Sequence, residues 1–217
     1  MTRTLFPYAR ARVGGFLAAR RGDAAVVEDV ARLERENADD LAAGAPRCAS
    51  DDLDSIVRYV HWLMDRDRKS TGLKALQGRI WEEGYRADEL RGEVYPEVPA
   101  AFQRWRQRGR RVAIFSSGSV LAQQLLFRHS TAGDLTPLLA AHFDTTTGPK
   151  REARSYAAIA DRLGVAPEAV LFVSDASEEL DAARAAGMQT ALCARAEEPP
   201  AAHHPVVRTF DDGALSS

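Results

Sequence analysis

The chain has 217 residues, 45% apolar and 28% charged, with 29 basic against 31 acidic side chains and a net charge of −2. That length can bury a real core, and the proportions exclude the disordered and fibrous classes. The balanced charge gives no basic excess of the kind that binds nucleic acid, and no apolar run approaches about 18 residues, so no helical membrane span is expected.

The first 22 residues carry five arginines and no acid, a composition shared with transit peptides. Serine is absent there, however, and Pro7 and the Gly14-Gly15 pair interrupt the segment, so the reading is a cytoplasmic protein. Cys48 and Cys193 lie far apart with no CxxC or Cys/His spacing, which argues against a disulfide framework or structural zinc.

The first half reads as helices. Pro7 suits the first position of a helix through Val13, Phe16 and Leu17, and Val26, Val27, Val30 and Leu33 keep helical spacing. Ser50, Asp51 and Asp52 offer N-cap oxygens to a stripe of Leu53, Ile56, Val57, Val60, Leu63 and Met64. A further helix from about Thr71 carries Leu73, Leu76, Ile80 and Trp81 and is closed by Gly84. No strand is expected before about residue 95.

The second half alternates. A helix face of Val98, Ala101, Phe102 and Trp105 precedes the apolar run 111–115, which ends in Ser116-Ser117-Gly118-Ser119. A helix follows through Leu125, then a short strand over 143–147 and a helix opened by Lys150 and closed by Gly164. The run 169–173 ends at Ser174-Asp175, and a helix through Leu180 and Ala183 leads to strands at 190–193 and 206–210. Continuous apolar strands alternating with helices predict an α/β, doubly wound, mainly parallel sheet covered on both faces.

Ligands of such sheets bind beyond the carboxyl ends of the strands, and three polar features fall there. Ser116-Ser117-Gly118-Ser119 offers hydroxyls and backbone N–H groups at a helix start, where anions bind. Gly148-Pro149-Lys150 places a cation where the helix dipole disfavours one. Ser174-Asp175, with Glu178 and Glu179 a turn later, supplies oxygens suited to Mg²⁺. Taken singly, these are also an ordinary N-cap turn, a solvated lysine and a helix cap. His203-His204 makes a poor metal pair, being adjacent, and reads as structural.

The ordered set Ser-Ser, Lys, Ser-Asp resembles motifs two, three and four of the haloacid dehalogenase-like phosphatases. The surrounding text is similar to the enolase-phosphatases, also called acireductone synthases. It includes Leu5-Phe6-Pro7-Tyr8-Ala9-Arg10, Asp67-Arg68-Lys69-Ser70-Thr71, Leu73-Lys74-Ala75-Leu76-Gln77-Gly78, Ile80-Trp81 with Glu83-Gly84-Tyr85, and Glu179-Leu180-Asp181-Ala182-Ala183. The resemblance implies that Ser116 and Ser117 bind the transferring phosphoryl group, that Lys150 neutralises charge and that Asp175 is a Mg²⁺ ligand. It also implies a core of residues 1–15 and 96–217 and a helical cap over 16–95. Lys74 and Gln77 would contact substrate from that cap, while Trp81 packs. The implied reaction is the Mg²⁺-dependent enolisation and dephosphorylation of 2,3-diketo-5-methylthiopentyl-1-phosphate in methionine salvage, by a cytoplasmic monomer whose partner is this small phosphorylated diketone. No nucleic-acid or membrane partner is expected.

The family opens with a strand ending in Asp-x-Glu-Gly-Thr, whose first aspartate is the nucleophile. No such motif occurs here: no acid precedes Asp23, and Asp23 does not follow a strand. The first core strand is therefore missing from this sequence and no catalytic nucleophile is assigned. Its family position lies between the strands ending at Ser116 and Asp175, so a gap or a direct pairing of those strands is expected. Little or no turnover is expected from these 217 residues, which read as a shortened form of an active enzyme. The alternatives are an inactive descendant that binds phosphate ligands or a protein, and a generic sugar-phosphate phosphatase.

Overall fold

The computed structural model describes residues 2–195 and 203–215. They divide into two units, Met1–Gly92 and Glu93–Ser217.

The first unit holds α1 (Thr2–Ala19), α2 (Ala24–Asp40), α3 (Leu53–Asp65) and α4 (Thr71–Arg86), with no strand among its described residues. Side chains cap three of the starts. Asp23 accepts from the Ala25 N–H, Asp52 from Ser55 and Ser70 from Leu73, each satisfying an N–H group the helix leaves open. Ile56, Val60 and Leu63 of the expected stripe are buried with Leu33, Leu76 and Ile80.

Two details of this unit differ from expectation. Helix α1 begins before Pro7 and holds it inside. Its buried Leu5, Ala9, Val13 and Leu17 recur every four residues, making one continuous face packed on α3 and α4. Residues 1–15, expected with 96–217, thus lie in the helical unit. Gly84 does not end α4 but sits inside it, where a Cβ would fall 2.5 Å from the Tyr8 hydroxyl oxygen. The position is set by close approach of α1 rather than by helix termination.

The second unit runs α5 (Val98–Gln107), β1 (Val112–Phe115), α6 (Val120–Arg128), β2 (Leu139–Phe143), α7 (Ala153–Leu163), β3 (Leu171–Ser174), α8 (Ser177–Ala185), β4 (Gln189–Cys193) and β5 (Val206–Val207). Strands β1 and β2 pair in parallel, as do β3, β4 and β5 in that order. Alternate strand residues face opposite helical layers. Ala113, Phe115 and Phe172 pack on Tyr156, Ile159 and Ala183 of α7 and α8. On the other face, Trp105 of α5 joins the cluster that holds Val112 and the cluster that holds Val173.

The strand expected at 143–147 lies earlier, at Leu139–Phe143. The chain turns at Asp144, whose carboxylate accepts from the Thr146 N–H and hydroxyl while its carbonyl accepts from Thr147. This side-chain turn competes with the ladder and ends the strand. The helix expected from Lys150 starts at Ala153, because Pro149–Glu152 form a turn first, and the last strand stops at Val207.

Among the described residues, β1 pairs only with β2 and β3 only with β4. Between them opens a cleft of about 1600 Å³, larger than the usual 300–1000 Å³ of a small-molecule pocket. Tyr156 bridges it underneath, its ring 5.6 Å from Phe115 and 4.9 Å from Phe172, edge to face with both. These two spans hold the Phe115 and Phe172 rings within about 10.5 Å, near two strand spacings of about 4.8 Å each. Of the two outcomes expected for the missing strand, the structure has the gap.

Candidate active site

The carboxyl ends of β1, β2 and β3 present the polar groups. Phe115 hands the chain to Ser116, whose N–H donates to the Phe143 carbonyl at 3.1 Å. The Ser116 Oγ accepts from the Gly118 N–H at 3.1 Å, which leaves its own O–H to donate elsewhere. Ser117 is exposed at the bend, and Ser119 caps α6 by accepting from the Ala122 N–H.

The second element is the turn after β2. Gly148 has φ +146°, and a Cβ there would lie 2.3 Å from the Ser155 Oγ. Ser155 is fully buried and donates to the Pro149 carbonyl at 2.7 Å, while the Tyr156 hydroxyl donates to the Lys150 carbonyl at 2.6 Å. These bonds fix the backbone at Lys150 and deliver its side chain to the cleft. Its Nζ sits 2.6 Å from the Glu179 Oε2 and 5.6 Å from the centroid of the Phe115 ring. Lys150 is thus an ion-paired lysine with 19% of its side chain exposed, not a solvated one. Burial and the nearby Glu179 push the Tyr156 hydroxyl pKa above its ordinary value, so it stays a donor.

The third element is the loop after β3. Asp175 is exposed and lines the cleft beside Ser174. It does not cap α8, whose N-cap position is Ala176. The Ser174 hydroxyl donates to Glu179 at 3.0 Å, and Glu178 turns outward to Arg151 at 2.8 Å.

Phe115, Lys150, Ser174, Asp175 and Glu179 therefore line one cleft. Ser116 and Ser117 stand at its end, following Phe115, and do not line it. Lys74 and Gln77 lie on α4 of the other unit: Lys74 half-buried, Gln77 buried with no hydrogen-bond partner for its Nε2. Among the described residues, no three His, Cys, Asp or Glu side chains gather as a metal cage. His204 is buried and bonded to Thr190 Oγ1 at 2.9 Å and to Asp181 at 3.2 Å, a structural role.

Two residues of this region escaped the sequence reading. Gln123, buried on α6, donates from Nε2 to the Gly118 carbonyl at 2.9 Å and the Phe143 carbonyl at 2.8 Å. Asp144, also buried, accepts from the Val120 N–H at 3.3 Å, placing a negative charge at the positive end of α6. The signals were a glutamine in the helix after a serine loop and an Asp-Thr-Thr turn after an apolar run.

Comparison with known proteins places the chain in a family. The model of the haloacid dehalogenase-like hydrolases matches residues 9–187. Enolase-phosphatase E1 of Synechococcus elongatus is 56% identical over 193 residues, covering 89% of this chain and 81% of that protein. Enolase-phosphatase E1 of Klebsiella pneumoniae is 46% identical over 208 residues, covering 96% and 87%. Among solved structures, the UTR4 protein of Saccharomyces cerevisiae aligns with a TM-score of 0.80 at 31% identity, over 97% of this chain and 91% of that one. The chain belongs to the haloacid dehalogenase-like hydrolases, and within them to the relatives of enolase-phosphatase E1.

Proposed function

We propose that this protein is a phosphoric monoester hydrolase of the acireductone synthase type. Its reaction is the Mg²⁺-dependent enolisation and dephosphorylation of 2,3-diketo-5-methylthiopentyl-1-phosphate in methionine salvage. One observation carries the reading: Lys150, in the turn after β2, and Asp175, in the loop after β3, line the same cleft, within a chain 56% identical to an enolase-phosphatase.

Phosphoryl transfer is mostly positioning and charge stabilisation. Ser116 and Ser117 hold the phosphoryl oxygens through hydroxyl and backbone donors, and Lys150 neutralises charge beside them. Asp175 would hold the Mg²⁺ ion. An exposed carboxylate in the cleft suits Mg²⁺, which takes one or two carboxylates and keeps waters and substrate phosphate for the rest. When bound, the ion screens the phosphoryl charge. The helical unit serves as a cap that excludes water, with Lys74 and Gln77 on its substrate side. The whole works as a cytoplasmic monomer.

Of the acids lining the cleft, Glu179 is held by Lys150 and Ser174, and Asp175 is assigned to the metal. By resemblance to the family, covalent transfer would use an aspartate nucleophile, and neither of these two acids is assigned that role.

The test is a panel of phosphate esters with Mg²⁺, assayed on this chain and on a version extended by a strand ending in Asp-x-Glu-Gly-Thr. Selective turnover of the diketone ester by the extended version supports the reading. Equal turnover of unrelated sugar phosphates replaces it with a generic phosphatase. Phosphate binding without turnover by either version replaces it with an inactive phosphate-binding descendant.

A further inference from the structure

The loop Ser116–Ser119 is held from inside by one side chain. Gln123 is 2% exposed, and both of its amide protons are committed. Its Nε2 reaches the Gly118 carbonyl at 2.9 Å and the Phe143 carbonyl at 2.8 Å. Its Oε1 faces His142 Nδ1 at 3.3 Å. Since the amide nitrogen is fully used as a donor, that oxygen accepts, and His142 carries its proton on Nδ1. The Phe143 carbonyl also takes the Ser116 N–H. Gln123 therefore ties the first and third residues of the loop to the end of β2 through a shared carbonyl.

The consequence lies in one peptide plane. In a trans peptide the carbonyl of one residue and the N–H of the next point in opposite directions. The Gly118 carbonyl is turned inward to a buried amide, so the Ser119 N–H is turned outward. No acceptor among the described residues takes that N–H: the Ser119 side chain instead caps the Ala122 N–H, and its carbonyl takes Gln123 N–H. Asp144 meanwhile occupies the neighbouring Val120 N–H. This outward donor stands in the same loop as the hydroxyls of Ser116 and Ser117.

We propose that Gln123 is a positioning residue for phosphate binding. By drawing the Gly118 carbonyl inward, it presents the Ser119 N–H as an additional backbone donor to the phosphoryl oxygens. The inference rests on the phosphate role of Ser116 and Ser117 and deepens it. Without the Gln123 amide, the Gly118–Ser119 peptide is released to rotate, and the donor loses its fixed direction. A hydrogen bond from backbone N–H to a charged acceptor contributes about 1.5–3 kcal/mol, so its loss weakens phosphate binding about tenfold or more.

The experiment uses the 217-residue chain and inorganic phosphate. In wild type, phosphate is expected to shift the Ser119 amide proton resonance downfield in parallel with the binding isotherm. Gln123→Met is expected to raise the phosphate Kd about tenfold or more in the folded protein. Gln123→Glu gives a second readout that does not depend on Gln123→Met folding. Its ionised carboxylate donates nothing to the two carbonyls, while its protonated form restores one donor. Its Kd, relative to wild type at the same pH, is therefore expected to approach wild type as pH falls from 8 to 5. An unmoved Ser119 amide in a chain that binds phosphate overturns the role, as does a wild-type Kd in the folded variants. Absence of phosphate binding in wild type overturns the phosphate assignment of the serine loop and this role with it.

Discussion

Lys150 Nζ lies 2.6 Å from Glu179 Oε2, with only 19% and 16% of the two side chains exposed. Glu179 has the Ser174 hydroxyl as a further partner, and Lys150 has the face of Phe115. A pair so far from water couples strongly, because removing one member leaves the other charge buried. Lys150→Met is expected to cost about 3 kcal/mol in urea unfolding, and Lys150→Met with Glu179→Gln less than the two single changes together. Phosphate binding should be lost in both Lys150 variants. If the three costs add without coupling, the pair does not hold the site together.

His142 is expected to shape the acid limb of stability. Burial holds its imidazole pKa below the ordinary value near 6.5. The unfolded chain therefore takes the proton first. The stability tied to the neutral ring is complete above about pH 6.5 and is lost as pH falls through the lower folded value. His142→Gln should flatten the difference in unfolding free energy between pH 7 and pH 5. An unchanged acid limb in that variant would assign the loss to other groups.

The thiols should be inert in the native state. Burial pushes the Cys48 pKa up to about 11, and burial likewise raises that of Cys193. At pH 8 a thiol of pKa 11 is about 0.1% thiolate, against roughly a quarter for an ordinary one. Cys48 should react with a thiol reagent about a hundredfold more slowly than free cysteine and recover full rate only in denaturant. Rapid labelling of Cys48 in the folded chain would contradict its burial.

The turn that delivers Lys150 tolerates no side chain at Gly148. A Cβ would meet Ser155 Oγ at 2.3 Å, φ is +146°, and Ser155 is fully buried with its hydroxyl on Pro149. Gly148→Ala is expected to destabilise by about 2–3 kcal/mol. Adding Ser155→Ala should return only part of that loss, since the backbone strain remains after the clash is relieved. Thermal unfolding of the single and double variants measures both terms.

The strands of the second unit were legible because their apolar runs are bounded by Gly, Ser and Asp, and the α3 stripe because its period is unbroken. The proposed site was read as an order of Ser-Ser, Lys and Ser-Asp along the chain, of which Lys150, Ser174 and Asp175 line the cleft. What escaped depends on contacts distant in sequence. Nothing near Lys150 announces that Glu179, 29 residues on, neutralises it. The bonds from Gln123 to the Phe143 carbonyl and from Val120 to Asp144 likewise join positions 20 and 24 residues apart. The strand misplaced at 143–147 failed on local chemistry: Asp144 prefers its own side-chain turn to a place in the ladder. The recurrence of Leu5, Ala9, Val13 and Leu17 was present in the sequence, but Pro7 concealed it.

Tyr156 is expected to be the residue on which the two sheets of the second unit depend. Its ring touches Phe115 of β1 and Phe172 of β3, strands that share no hydrogen bond, and its hydroxyl holds the Lys150 carbonyl. The two functions separate by substitution. Tyr156→Phe keeps both ring contacts and removes one buried hydrogen bond, so a loss of about 1–2 kcal/mol is expected with cooperative unfolding retained. Tyr156→Ala removes the bridge itself. A buried aromatic truncated to alanine costs about 3–5 kcal/mol through lost contact and the cavity left behind, and Tyr156 lines the cleft between the two sheets. The β1–β2 pair is then expected to open at lower urea than the β3–β4–β5 sheet, giving earlier hydrogen exchange at 112–115 than at 189–193. A single shared transition in Tyr156→Ala would show that Trp105, on the opposite face, suffices to couple the sheets.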